Sequence, residues 1–112
     1  MSSGLELTLK HLKALIACDT SNPPREIEQS GLIQYLNSLD FIDPKVTDLG
    51  GGSFNILLRK GSPNYLINVH LDTVPAGEGW VSDPFNLVIK DERAIGLGAC
   101  DIKGAVACLL TL

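Results

Sequence analysis

Two short stretches of the chain carry residue types that do chemistry. His70-Leu71-Asp72 places an imidazole two residues before a carboxylate. An imidazole binds a metal through one ring nitrogen, and a carboxylate accepting from the other nitrogen fixes the tautomer and the ring orientation. The same three residues also read as a satisfied histidine at a core edge beside a loop aspartate. The second stretch is Gly96-Leu97-Gly98-Ala99-Cys100-Asp101-Ile102-Lys103-Gly104. It is not a dinucleotide loop, because Asp101 stands where the pattern needs its third glycine and would repel a pyrophosphate. It is not a P-loop either, since Lys103 lacks the required frame. Its glycines let the backbone turn sharply so that Asp101 projects inward; capping of the following helix is the other reading of that aspartate. Taken together, a histidine, an accessory aspartate and a second aspartate, each just after a strand, can converge on one site. A carboxylate bridges two cations, and paired metal sites hold their ions about 3.5–4 Å apart. Imidazole with carboxylate suits zinc.

These motifs need elements to position them. Leu5, Leu9, Leu12 and Leu15-Ile16 recur at helical spacing and predict a helix over residues 5–18. His11 falls on its polar side and is expected to be exposed. The helix must stop before Ser21-Asn22-Pro23-Pro24. A second helix is expected from Glu26 to Leu39, weakened at Gly31 by about 1 kcal/mol relative to alanine. Short β runs follow at Lys45-Val46-Thr47, at Phe54–Arg59 and at Tyr65–Val69. The connection Gly61–Asn64 is too short for a parallel crossover, so the third run is expected antiparallel to the second. Its nearly unbroken apolar content predicts burial on both faces, with His70 at its carboxyl end, where open α/β sheets bind ligands. Leu87–Lys90 and Ala94-Ile95 predict a small hairpin turning at Asp91-Glu92, and a helix is expected to start near Ile102. The fold class expected is α/β, a mixed sheet flanked by helices.

Composition sets the outer limits. The 112 residues are 45% hydrophobic and 20% charged, which is globular rather than disordered. Nine basic residues against thirteen acidic ones give a net charge of −4, so no basic stripe is available for a nucleic-acid backbone. Three cysteines, Cys18, Cys100 and Cys108, form no C-x-x-C pair and no disulfide framework. The start lacks a signal-peptide pattern, and no apolar stretch reaches the about 18 residues of a membrane span. A soluble protein of the cytoplasm is therefore expected. The run Ala105–Leu112 is apolar and lacks the usual helix stop signals, which predicts a piece of a longer protein. An open sheet edge and an apolar surface would follow from that.

His70-Leu71-Asp72-Thr73-Val74-Pro75 followed by Gly96-x-Gly98-x-x-Asp101-x-Lys103-Gly104 resembles the metallopeptidase family of acetylornithine deacetylase, succinyl-diaminopimelate desuccinylase, aminoacylase-1 and carboxypeptidase G2. Asp19-Thr20-Ser21-Asn22-Pro23-Pro24 resembles the family's loop after the first helix, and Trp80-x-x-Asp83-Pro84-Phe85 its loop between the two motifs. The resemblance covers nearly the whole chain. It implies the N-terminal portion of a zinc-exopeptidase-like three-layer catalytic domain, without the lid (dimerisation) domain, the general-base glutamate and the remaining ligands. It implies that His70 binds one metal, that Asp101 bridges two zinc ions (cobalt being an alternative) and that Asp72 orients and polarises His70 as the catalytic aspartate. It implies a homodimeric parent that hydrolyses N-acyl amino acids by a bridging hydroxide, most like acetylornithine or acetylcitrulline deacetylases of arginine synthesis. Leu97 departs from the family, where many members carry arginine, and Cys100 stands where a small residue is usual. Glu78 and Glu92 lie in loop and turn contexts and do not replace the missing groups. With only two of the expected ligands, the chain alone is expected to bind zinc weakly or be metal-free, and to be inactive. A desuccinylase or dipeptidase of the same family is one alternative; a non-catalytic stand-alone module is the alternative from another class.

Overall fold

The computed structural model describes residues 3–112. The first helix, α1, spans Ser3–Ala17 and buries His11, Leu12, Leu15 and Ile16 along one stripe. That stripe meets α3, Gly104–Thr111, through Val106 and Ala107. The hydroxyls of Thr8 and Thr111 lie 2.9 Å apart where the two helices approach. The other wall of the core is a one-turn 3-10 segment, Ile27–Gln29, followed by α2, Leu32–Asn37, which adds Leu32 and Leu36. The expected single helix over Glu26–Leu39 is thus divided. Gly31 between the two pieces has φ +83°, a conformation that glycine adopts without steric cost and that ends one helix before the next begins.

His11 corrects the expectation of exposure. It is 5% exposed, and its Nδ1 is hydrogen bonded to the Tyr35 hydroxyl at 2.6 Å. Its position four residues before Leu15 puts it on the core stripe, and α2 supplies the polar partner that burial demands.

Strand β1, Ile42–Gly50, pairs antiparallel with β2, Ser53–Arg59, with Val46 opposite Ile56 and Lys45 opposite Leu57. The ladder is irregular between Ile42 and Lys45, where Pro44 has no N–H to donate. Along β2 the half-buried Ile56 and Leu58 face the core and alternate with the exposed Asn55 and Leu57. The predicted hairpin is present as β3, Val88–Lys90, and β4, Arg93–Ile95, turning through Asp91 and Glu92, both at positive φ.

The arrangement is α/β, with helices and two separate two-stranded antiparallel sheets in place of the single mixed sheet expected. Tyr65–Val69 corrects the sequence expectation most sharply. It joins no ladder, and it is exposed rather than buried, with Tyr65 at 88% and Leu66 at 81%. A strand apolar on both faces is stable only with neighbours on both sides. Strand β2 gives its paired edge to β1, and among the described residues no other strand reaches the segment. Among the described residues the one parallel contact is an isolated bridge between Ser21 and Thr73. The last helix begins at Gly104, two residues beyond the expected start, because Asp101 and Ile102 adopt non-helical angles inside the wide turn Ala99–Lys103.

Candidate metal centre

The chain after α1 forms a clamp for the first motif. Thr20 is fully buried, and its hydroxyl donates to the Leu71 carbonyl at 2.6 Å. The Thr73 N–H donates to the Thr20 carbonyl at 3.1 Å, and the Asn22 N–H donates to the Thr73 carbonyl at 2.8 Å. Three hydrogen bonds thus pin the residues on either side of Asp72 to Thr20–Asn22. Asp19 stiffens the clamp from within by accepting from the Ser21 N–H at 3.1 Å and from the Ser21 hydroxyl.

The second motif is fixed from both ends. The Leu97 N–H donates to the Pro84 carbonyl at 2.8 Å, which ties it to the loop before β3. Gly98 has φ +80°, and a Cβ there would lie 2.6 Å from Thr73 Cγ2. Only glycine therefore lets the second motif approach the first this closely. Beyond the turn, the Lys103 N–H donates to the Gly98 carbonyl at 2.9 Å. The Lys103 side chain is 1% exposed and runs back to α1, where Nζ donates to the Leu15 carbonyl at 2.8 Å and the Cys18 carbonyl at 2.9 Å. Burial pushes its ammonium down to about 8, and the neighbouring Cys18 and Asp19 offset part of that fall.

These anchors bring together the three residues singled out from the sequence. His70 Nε2 lies 3.2 Å from Asp101 Oδ1. His70 Nδ1 lies 3.0 Å from the Asp72 carbonyl oxygen and 3.3 Å from Asp72 Oδ1. Oxygen acceptors therefore face both ring nitrogens, whereas a neutral imidazole has one N–H. With that hydrogen on Nδ1, toward Asp72, the Nε2 lone pair points at a carboxylate oxygen. Two lone pairs face each other there unless a second proton or a cation lies between them.

The donors fit a zinc ion on that side. Two ligands on a tetrahedral zinc, each roughly 2.0–2.2 Å from the metal, stand about 3.3 Å apart, close to the 3.2 Å between Nε2 and Oδ1. The pair is open, with the His70 side chain 51% and that of Asp101 86% exposed. It is also incomplete. Among the described residues no group of three or more His, Cys, Asp or Glu side chains could hold a metal ion by itself. Asp101 does not cap α3, whose N-cap is Lys103 and has no side-chain cap bond. Cys100 is exposed, Glu92 lies in the β3–β4 turn, and Glu78 lines an open groove with Trp80 and Lys90.

Sequence reasoning missed the supporting residues. Thr20 and Lys103 were visible only as members of motifs. The signal was present for Lys103, because a lone charge at the mouth of the apolar run Gly104–Leu110 must either reach water or find acceptors.

Residues 66–112 match the model of peptidase family M20/M25/M40, so the chain carries a segment of a peptidase M20 family domain. Over 112 residues it is 45% identical to the N-acetyl-L-citrulline deacetylase of Xanthomonas campestris pv. campestris, an alignment covering 98% of this chain and 31% of that protein. It is 37% identical over 116 residues to the succinyl-diaminopimelate desuccinylase of Nitrosococcus oceani, covering 99% of this chain and 29% of that one. The corresponding protein of Zymomonas mobilis is 36% identical over 107 residues, covering 86% and 27% respectively. The chain thus spans less than a third of the length of these relatives.

Proposed function

We propose that this chain is the N-terminal, metal-bearing portion of the catalytic domain of a cytoplasmic amidohydrolase that deacylates N-acyl amino acids. The observation that carries the reading is the convergence of His70 Nε2 and Asp101 Oδ1 at 3.2 Å, with Asp72 behind the other ring nitrogen. In this reading His70 and Asp101 would be the residues of this chain that hold a zinc pair. Asp72 is a positioning group, which holds the hydrogen on Nδ1 and so turns the Nε2 lone pair toward the metal. A dinuclear zinc centre supplies polarisation of the acyl carbonyl and a water ionised near neutral pH. The open face of the pair leaves room for the substrate acyl group and for ligands from other parts of the parent. The general base, the lid and the dimer contact belong to that remainder.

The relatives named above support the choice of substrate class. We assign first an N-acetyl amino acid, N-acetylcitrulline or N-acetylornithine, which places the parent in arginine synthesis. The desuccinylase relatives support N-succinyl-diaminopimelate as the second reading. The test is to express the parent protein, supply zinc or cobalt, and measure turnover of the three compounds with wild type and Asp101→Ala. Turnover of an acetyl substrate that falls at least a hundredfold in the variant is expected. Undiminished metal-dependent hydrolysis by Asp101→Ala would sink the assigned role, and preference for the succinyl compound would select the second reading.

A further inference from the structure

We propose that Lys103 is a positioning residue, whose side-chain tether to the end of α1 holds the Asp101 carboxylate opposite His70. The inference rests on the reading of His70 and Asp101 as the metal-bearing pair. Asp101 has little else to place it. Its side chain is 86% exposed, and its recorded partner is His70 Nε2. Its backbone lies in a turn where it and Ile102 both leave helical angles, so no helical hydrogen-bond ladder fixes it. Its position must therefore be inherited from the ends of the turn. One end is Gly98, packed on Thr73. The other is Lys103, which closes the turn through its N–H to the Gly98 carbonyl.

The Lys103 side chain makes that second end rigid. Nζ donates to the carbonyls of Leu15 and Cys18 at the end of α1, where the Leu15 carbonyl also accepts from the Cys18 N–H at 3.2 Å and the helix dipole favours a cation. The clamp for the other motif, Thr20–Asn22, begins two residues beyond Cys18. Both halves of the site are thus referenced to one short stretch, Leu15–Asn22, which supplies none of the three site side chains. The first half reaches it through Thr73 and Leu71, and the second reaches it through Lys103. A methionine in place of Lys103 would be of similar length but offer no donor, leaving the Cys18 carbonyl without this partner, the Leu15 carbonyl with the Cys18 N–H alone, and the turn free to swing.

The experiment uses the 112-residue chain and its two histidines, which report on different places. His70 reports on the site, and His11, buried against Tyr35, reports on the core. Ring carbon shifts are recorded by NMR at one fixed pH, without metal, for wild type, Lys103→Met, Lys103→Gln and Asp101→Asn. The expected result is that Lys103→Met moves the His70 signal to where Asp101→Asn moves it, while His11 keeps its native position. Lys103→Gln, with a shorter arm that ends in an amide NH2 group, is expected to fall between. A wild-type His70 signal in a Lys103 variant whose His11 signal is native would overturn the proposal. So would loss of the native His11 signal in both Lys103 variants, because that outcome makes Lys103 a residue of stability alone. In parallel, Zn²⁺ is titrated into wild type, His70→Ala and Lys103→Met. At least tenfold weaker binding is expected for both variants. Zinc binding indifferent to His70→Ala would refute the metal reading, whereas the metal-free His70 shifts would still decide the role of Lys103.

Discussion

The Tyr35 hydroxyl lies 2.6 Å from His11 Nδ1, and the two rings meet edge to face with centroids 6.0 Å apart, so a titratable group is built into the contact between α1 and α2. Burial, and secondarily the neighbouring Lys10 charge, holds His11 below its ordinary value of 6.5. The unfolded chain therefore takes up this proton at a higher pH than the folded one. Between the two values the unfolded state binds more protons, so stability falls as pH falls through about 6.5. Thermal unfolding followed by circular dichroism should give a lower midpoint at pH 5.5 than at pH 7.5. His11→Gln removes the titration and should flatten that part of the profile. An unchanged pH slope in the variant would show that other groups set it.

Thr20 and Thr73 make a matched pair of tests. The Thr20 hydroxyl donates to the Leu71 carbonyl at 2.6 Å, whereas Thr73 Oγ1 is buried with no partner among the described residues. Valine has nearly the same shape as threonine. Thr20→Val deletes a buried hydrogen bond and leaves a carbonyl unsatisfied, which costs about 1–3 kcal/mol. Thr73→Val deletes a hydroxyl that bonds to nothing, and its backbone bonds to Thr20 and Asn22 remain, so it should be neutral or slightly stabilising. Urea titration of both variants checks the contrast, and equal losses would contradict the clamp described above.

The sequence exposed local structure better than long-range structure. Periodicity found α1 within two residues at its start and one at its end, and the Asp91-Glu92 turn marked the hairpin. His70, Asp72 and Asp101 were legible as a group because their types and motif context point to one chemistry, and the structure does bring them together. His11 was misplaced because its polarity outweighed its register; four residues before Leu15, it shares the buried stripe. The strand expected at Tyr65–Val69 failed for a different reason. Apolar content states what a segment needs, which is a neighbour on each side, but not whether the described residues provide one. The roles of Thr20 and Lys103 were illegible because hydrogen bonds to backbone carbonyls 51, 85 and 88 positions away leave no local pattern.

Gly98 sets the distance between the two motifs, and Gly98→Ala should separate them. The left-handed conformation costs an L-residue roughly 1–2 kcal/mol. The new methyl group would also stand 2.6 Å from Thr73 Cγ2, so Thr73 or the turn must move. The predicted outcome is a loss of at least about 1 kcal/mol in chemical denaturation, together with a displaced His70 ring signal by NMR. Gly61→Ala is a control with the same strain, at φ +64°, and open space around the added methyl group. It should lose stability without moving His70, and a His70 shift of the same size in both variants would argue against Gly98 as the spacer.

The exposed segment Tyr65–Val69 should govern how this chain behaves at high concentration. Its side chains are apolar apart from Asn68, and its N–H and C=O groups enter no ladder. An unpaired apolar strand is a template for edge-to-edge pairing, and natural proteins commonly protect such edges with lysine. Leu66→Lys, at a position 81% exposed in the folded chain, removes little packing and should leave thermal stability within about 0.5 kcal/mol of wild type. Sedimentation velocity over a concentration series should show wild type associating and Leu66→Lys shifted toward monomer. Val81→Lys, at a fully exposed loop position outside the segment, should associate as wild type does. Equal relief by both lysines would assign the effect to net charge, since each raises −4 to −3, and would remove the segment from the explanation.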